Sequence, residues 1–357
     1  MIRKVLIAAG CAASFTAGAV AYAEDKEAVD KPADTMPAAL AHQVVDKTVE
    51  LVESRGLYPR QQSEYAQAKA ELLAAFDGQP AEIVRKDLYG RIGKLLGTLD
   101  TNRHSFIIPA GQSLHAPRSA GALADLPPPT FKLLTTRQGT VLRWTPPAMV
   151  GGGMGVMAPY LKRFYDEAAA RPDIAGACAL VVDLSEQTGG NAWPPFVAMY
   201  PLFGAANTAK WVDRDGKRTS FVSPARLQEM DRQYAPERVN PLARFGSGPL
   251  AVVVGKRAAS AGEMLLVALL GEERVQTFGS TSFGKSTANG SYPLADGSML
   301  VLTTSRYALG DGPVYQGGIP AMHPAAQDAP VEDAVKTAAE WAAANSPQCA
   351  AKAPPAA

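Results

Sequence analysis

Ser260 and Lys285 stand 25 residues apart, one in the segment AASAGE (258–263) and the other in SFGKS (282–286). A serine hydroxyl becomes a nucleophile when a neighbouring base takes its proton, and a neutral lysine amine is such a base. The lysine pKa must then fall by about 3 units from about 10.4, which desolvation beside a ring such as Phe283 favours. His104, in LDTNRHSF (99–106), is an alternative base that needs no such shift. Gly189 and Gly190 follow an apolar run at 177–184. Their backbone N–H groups, with that of Ala261, are unobstructed donors for a developing oxyanion. Such a group of residues suits acyl transfer through a covalent serine ester.

Plainer roles compete for the same residues. Ser260 followed by Glu263 is also a helix capping box, and Lys285 reads equally as a surface lysine at a turn. Residues 279–286, GSTSFGKS, match the phosphate-loop pattern G-x-x-x-x-G-K-[ST]. That loop must open a helix, whereas Asn289-Gly290 and Pro293 follow here. The pattern therefore does not predict nucleotide binding. The S-x-x-K at 282–285 lacks the S-D-N and K-T-G partners that would make it a penicillin-binding signature.

The elements that must position these groups follow from periodicity. Val45, Val49 and Val52 share one helical face, and Leu88, Ile92, Leu95 and Leu99 another, which predicts an N-terminal helical domain and connector over 37–124. From 125 to 345 strand and helix patterns alternate. Strands are expected at 140–145, 177–184, 250–255 and 274–278, and helices at 156–170, 193–203, 260–270 and 331–344. A hairpin turns at Asp215-Gly216, and segments 291–294 and 299–306 pair across 295–297. The run at 177–184 is too apolar for a half-exposed strand and should be covered on both faces. An α/β (α+β) core with crossover helices results, and the Ala/Pro-rich tail 346–357 reads as disordered.

At the N-terminus Arg3-Lys4, an apolar stretch to Val20 and Ala21-Tyr22-Ala23 form a secretory signal, residues 1–23, followed by a linker at 24–36. Export, not an integral membrane anchor, is expected, because the apolar run is short and contains glycines. Anchoring as a lipoprotein through Cys11 is the lesser alternative. Of 35 basic and 34 acidic residues the signal removes only Arg3 and Lys4, so the balance gives no field for nucleic acid. The four histidines are scattered and no C-x-x-C occurs, so neither metal nor other cofactor is implied. Cys178 and Cys349 remain after cleavage. An oxidising compartment permits them to pair, but the core position of Cys178 argues against it.

These segments together resemble the S41 serine peptidases, the carboxy-terminal processing or tail-specific protease family. The resemblance rests on S-A-G-E at 260–263, S-F-G-K at 282–285, P-L-A-D-G-S at 293–298 and L-T-T-S-R-Y at 302–307. Gly318-Ile319-Pro320, the segment VVDLSEQTGGN (181–191) and residues 99–105 add to it. It implies a ClpP/crotonase-like core, Ser260 as nucleophile, Lys285 as base, and Ala261 with Gly189 or Gly190 as oxyanion donors. The family's base-orienting glutamine corresponds to Asn289. No PDZ pattern is found between Ser105 and Ala177, which places the chain nearer PDZ-less members such as nisin-resistance-like and tricorn-like peptidases. In those a histidine serves the serine, and His104 is the matching position. Lys285 is the preferred base, with His104 retained. The implied activity is an exported, periplasmic serine endopeptidase acting on unstructured or C-terminal peptide segments. A catalytically inactive peptide- or ligand-binding relative, and a serine hydrolase of non-peptide substrates, are the alternatives.

Overall fold

The computed structural model describes residues 33–59, 61–78, 81–99, 103–112, 128–149, 153–326 and 328–351. The expected signal at 1–23, Cys11 and most of the 24–36 linker lie outside them. Strand β1 (Thr35–Pro37) leads into α1 (Ala38–Arg55), followed by α2 (Gln62–Ala74), β2 (Glu82–Val84) and α3 (Arg85–Gly97), with β1 and β2 antiparallel. Val45, Val49, Val52, Leu88, Ile92, Leu95 and Leu99 are all buried, as their spacing predicts. They share one apolar cluster with Leu294, Leu300 and Leu302. The helical region thus packs directly on the sheet that carries those leucines.

Strand β3 (Phe106–Ile108) comes next, then the hairpin β4 (Thr130–Thr136) and β5 (Gly139–Thr145), α4 (Met157–Ala169) and β6 (Ala179–Asp183). Helix α5 (Trp193–Ala198), strands β7 (Ala209–Val212) and β8 (Arg218–Ser220), and α6 (Pro224–Tyr234) precede β9 (Leu250–Val254) and α7 (Ala261–Leu270). The chain continues through β10 (Val275–Gly279), β11 (Thr287–Pro293), β12 (Met299–Leu309) and β13 (His323–Pro324) to α8 (Val331–Asn345) and α9 (Pro347–Ala350).

Two sheets result. One has the order β13-β10-β9-β6-β5-β4, parallel from β5 to β13, with β4 antiparallel at its edge. The other has the order β11-β12-β7-β8 and is antiparallel, with β3 added beside β12. All five residues of β6 and of β9 are buried. Their alternation sends Leu180, Val182, Leu250 and Val252 to the side of α4 and α7, and Val181, Ala251 and Val253 to α8. Each fully buried valine or leucine contributes roughly 1.5–3 kcal/mol, so the two-sided cover stabilises this layer. The alanines of α8 (Ala334, Ala338, Ala339 and Ala342) let it lie close to the strands.

Three expectations are corrected. The helix expected over 193–203 stops at Ala198 and continues as a 3-10 turn at Tyr200–Leu202, because Pro201 lacks the N–H of an α-helical continuation. The tail expected to be disordered from 346 instead forms α9, capped by the Ser346 side chain; residues 352–357 lie outside the described ones. Cys178 and Cys349 form a disulfide, both sulfurs lying in the cluster between the parallel sheet and α8. A core position for one cysteine did not exclude pairing, because the tail folds back and brings its partner into the same core. Gly139 makes room for it: a Cβ there would lie 2.8 Å from Cys178 Sγ.

Candidate active site

Ser260 occupies the junction between β9 and α7, with φ 52° and ψ −107°. This is a left-handed conformation that side-chain-bearing residues rarely adopt, so the surroundings must hold it. Glu263 does much of this. Completely buried in the first turn of α7, its carboxylate accepts the Ser260 N–H at 3.1 Å. Its other oxygen accepts the Ser282 hydroxyl at 2.6 Å and the Gly284 N–H at 2.8 Å. Burial raises the Glu263 pKa, and the donors around it oppose that shift, the backbone N–H of Lys285 among them. The capping box of Ser260 and Glu263 is therefore formed, and the Ser260 hydroxyl also faces the ring of His104.

The GSTSFGKS loop also finds its physical role here. It passes from β10 into strand β11, not into a helix. Its Gly284 and Lys285 N–H groups and the Ser282 hydroxyl face the Glu263 carboxylate. The anion that this glycine-lysine turn surrounds is a side chain of the protein itself. Ser282 Oγ also accepts the Ile319 N–H at 2.7 Å, so one carboxylate ties together three chain segments.

The hydroxyl of Ser260 lies 3.0 Å from Nε2 of His104, and Nδ1 of that ring lies 2.6 Å from Thr287 Oγ1. His104 is buried. For Nε2 to accept the serine proton, Nδ1 must carry a hydrogen, and the Thr287 hydroxyl is placed to accept it. Asn289 Nδ2 donates to the His104 carbonyl at 3.0 Å, and Asn289 Oδ1 accepts from Thr303 Oγ1 at 2.9 Å. Ser105 Oγ donates to Thr303 Oγ1 at 3.1 Å and accepts the Thr303 N–H at 3.0 Å. The histidine is thereby fixed at its ring and at its backbone by β11 and β12.

Among the described residues no hydrogen bond joins the Lys285 side chain to Ser260, whose hydroxyl faces His104 instead. The lysine Nζ lies 5.8 Å from the ring centroid of Phe283, which is 59% exposed, and among the described residues it makes no hydrogen bond or ion pair. Asn289, expected to orient the lysine, holds the backbone of His104 instead. Gly189 (φ 114°) packs against Ser260 so closely that a Cβ there would be 3.1 Å from both Ser260 Cβ and Ala259 O, and 3.7 Å from Ala261 N. Gly190 follows at φ 102° and bridges to Met149. Thr287 and Thr303 were not singled out from the sequence. The sequence signals were slight: Thr287 stands two positions before Asn289, and Thr303 lies within the 302–307 segment.

A nucleophile turn at the end of a parallel strand, facing a histidine held by a second sheet, is the arrangement of a serine hydrolase. Residues 154–321, just under half of the chain, match the model of Peptidase family S41. The nisin-resistance protein of Lactococcus lactis subsp. lactis is 26% identical over 164 residues, 45% of this chain and 49% of that protein. The chloroplastic carboxyl-terminal-processing peptidase 2 of Arabidopsis thaliana is 34% identical over 129 residues, 36% of this chain and 22% of that one. The chain thus matches half or less of the length of these curated relatives. A lipoprotein from Streptococcus agalactiae superposes with a TM-score of 0.64 at 17% identity, over 85% of this chain and 96% of that structure. That likeness establishes a mixed α/β fold with N-terminal helices. No helix among the described residues is long and apolar enough to cross a membrane.

Proposed function

We propose that the protein is an exported serine endopeptidase in which Ser260 is the nucleophile and His104 the base. The observation that carries this is the 3.0 Å approach of His104 Nε2 to Ser260 Oγ, with Nδ1 held by Thr287. His104 takes the Ser260 proton as Oγ bonds to the carbonyl carbon, and the carbonyl electron pair moves onto its oxygen. The N–H of Ala261 and that of Gly189 or Gly190 stabilise this oxyanion. Collapse breaks the C–N bond, and His104 delivers the proton to the leaving amine. Water, losing a proton to His104, then attacks the ester, and the proton returns to Ser260 as the C–O bond breaks.

The match to family S41 and the geometry together favour a peptide substrate, bound in extended form where Ser260 is accessible. Between Ser105 and Ala177 the described chain supplies β3, the β4–β5 hairpin and α4, which belong to the two sheets and their cover. This supports a PDZ-less reading. The disulfide between Cys178 and Cys349 supports an oxidising destination such as the periplasm.

The test is labelling with a fluorophosphonate probe together with turnover of a denatured protein substrate. Wild type should label and cleave, Ser260→Ala should do neither, and His104→Ala should lose about a thousandfold or more in kcat/KM. A fully active His104→Ala beside an inactive Lys285→Ala would return the base role to Lys285. Labelling with turnover of an ester but not of the protein substrate would identify a different hydrolase, and no labelling an inactive relative.

A further inference from the structure

With His104 on the nucleophile, the lysine next to the site is released for another task. Lys285 is tied to both members of the pair through its backbone. Its N–H faces the Glu263 carboxylate, whose other oxygen holds the Ser260 N–H. Its carbonyl accepts the Thr287 N–H at 2.8 Å, and Thr287 Oγ1 touches His104. The side chain is therefore rooted beside the reacting atoms. The residue is half-buried, and its ammonium lies 5.8 Å from the centroid of the exposed Phe283 ring, with no carboxylate partner among the described residues.

Glu263, the acid that this turn surrounds, is held by its own donors. A second cation, Arg103, directly precedes His104, is exposed, and likewise has no ion-pair partner among the described residues. A lysine beside an exposed aromatic face is suited to a ligand that has both a negative charge and an apolar body.

We infer that Lys285, resting on Phe283, recognises a carboxylate of the bound peptide next to the scissile bond. This makes the lysine a specificity residue and not a base, and it rests on the peptidase reading above. The carboxylate has two sources, the peptide's own C-terminus or an acidic side chain, and the same contact serves either.

The experiment uses full-length Ser260→Ala, which cannot turn over, and four fluorescent peptides. They share an apolar body and combine a free or amidated C-terminus with a glutamate or glutamine at one position. Binding is read by anisotropy. One carboxylate form should bind about tenfold tighter than its neutral counterpart, and the pair that differs names the source. Lys285→Ala in the same background should bring that ratio close to one, and Lys285→Arg should keep most of it. Equal binding of all four peptides, or a preference that survives Lys285→Ala, overturns the inference while leaving the peptidase reading intact. No binding of any peptide overturns both. In the active enzyme, loss of turnover on charged and neutral peptides alike in Lys285→Ala would make the lysine the base and also overturn it.

Discussion

The two sheets divide the site between them, and they hold their halves by different means. The parallel sheet carries Ser260 at the end of β9, a strand buried on both faces and flanked by the equally buried β6. The antiparallel sheet holds His104 through Thr287, Asn289 and Thr303, and β11 has no fully buried residue. Apolar burial stabilises the first half whatever happens at the site. The second half is defined by a few polar contacts, so its geometry is more easily lost than its fold. Mutations in the first half should therefore cost stability, and mutations in the second should cost rate.

The largest stability effect is expected at the disulfide, which ties the start of β6 to α9 across 171 residues of sequence. Replacing both cysteines by alanine should lower unfolding stability by about 4 kcal/mol, read as a lower urea midpoint under oxidising conditions. The folded fraction should still label with a fluorophosphonate, since neither sulfur approaches Ser260. Loss of labelling in protein that is still folded would show that the parallel layer is less independent of the site than its packing implies.

Glu263 is the place where the two halves meet, and its removal should affect both quantities. Glu263→Ala removes the carboxylate that accepts the Ser260 and Gly284 N–H groups and the Ser282 hydroxyl. A loss on the order of 3 kcal/mol follows, together with a fall in labelling rate as the left-handed Ser260 backbone relaxes. Glu263→Gln retains one acceptor oxygen and should fall between the alanine variant and wild type. If Glu263→Ala kept both stability and labelling rate, the carboxylate would not be what holds the nucleophile turn.

The same contrast explains what could be read from the sequence. β6 and β9 announce themselves as unbroken apolar runs, and the helical faces of α1 and α3 by their spacing, because burial on a regular element leaves a periodic trace. Ser260, Gly189 and Glu263 lie where those elements end, and so were legible. The choice between His104 and Lys285 was not. His104 and Thr287 are 183 residues apart, and no local pattern records a contact that only the pairing of β3 and β11 with β12 creates. The glycine-lysine turn misled for a related reason. Its pattern is that of an anion-binding loop, and the sequence does not show that Glu263 is the anion.

The smallest expected effect is the most discriminating, since it should leave the fold untouched. Thr287→Val is close to isosteric and removes only the hydroxyl that receives His104 Nδ1. Without it the ring loses the partner that fixes its tautomer and orientation, so Nε2 faces Ser260 for a smaller fraction of the time. About a tenfold fall in kcat is expected with KM and melting temperature nearly unchanged. Thr287→Ser restores the hydroxyl and should recover most of the rate, which a packing defect at this position would not allow. A valine variant with wild-type kcat would mean that Asn289, acting on the His104 backbone, is enough to aim the ring, and that the antiparallel half is as strongly determined as the parallel one.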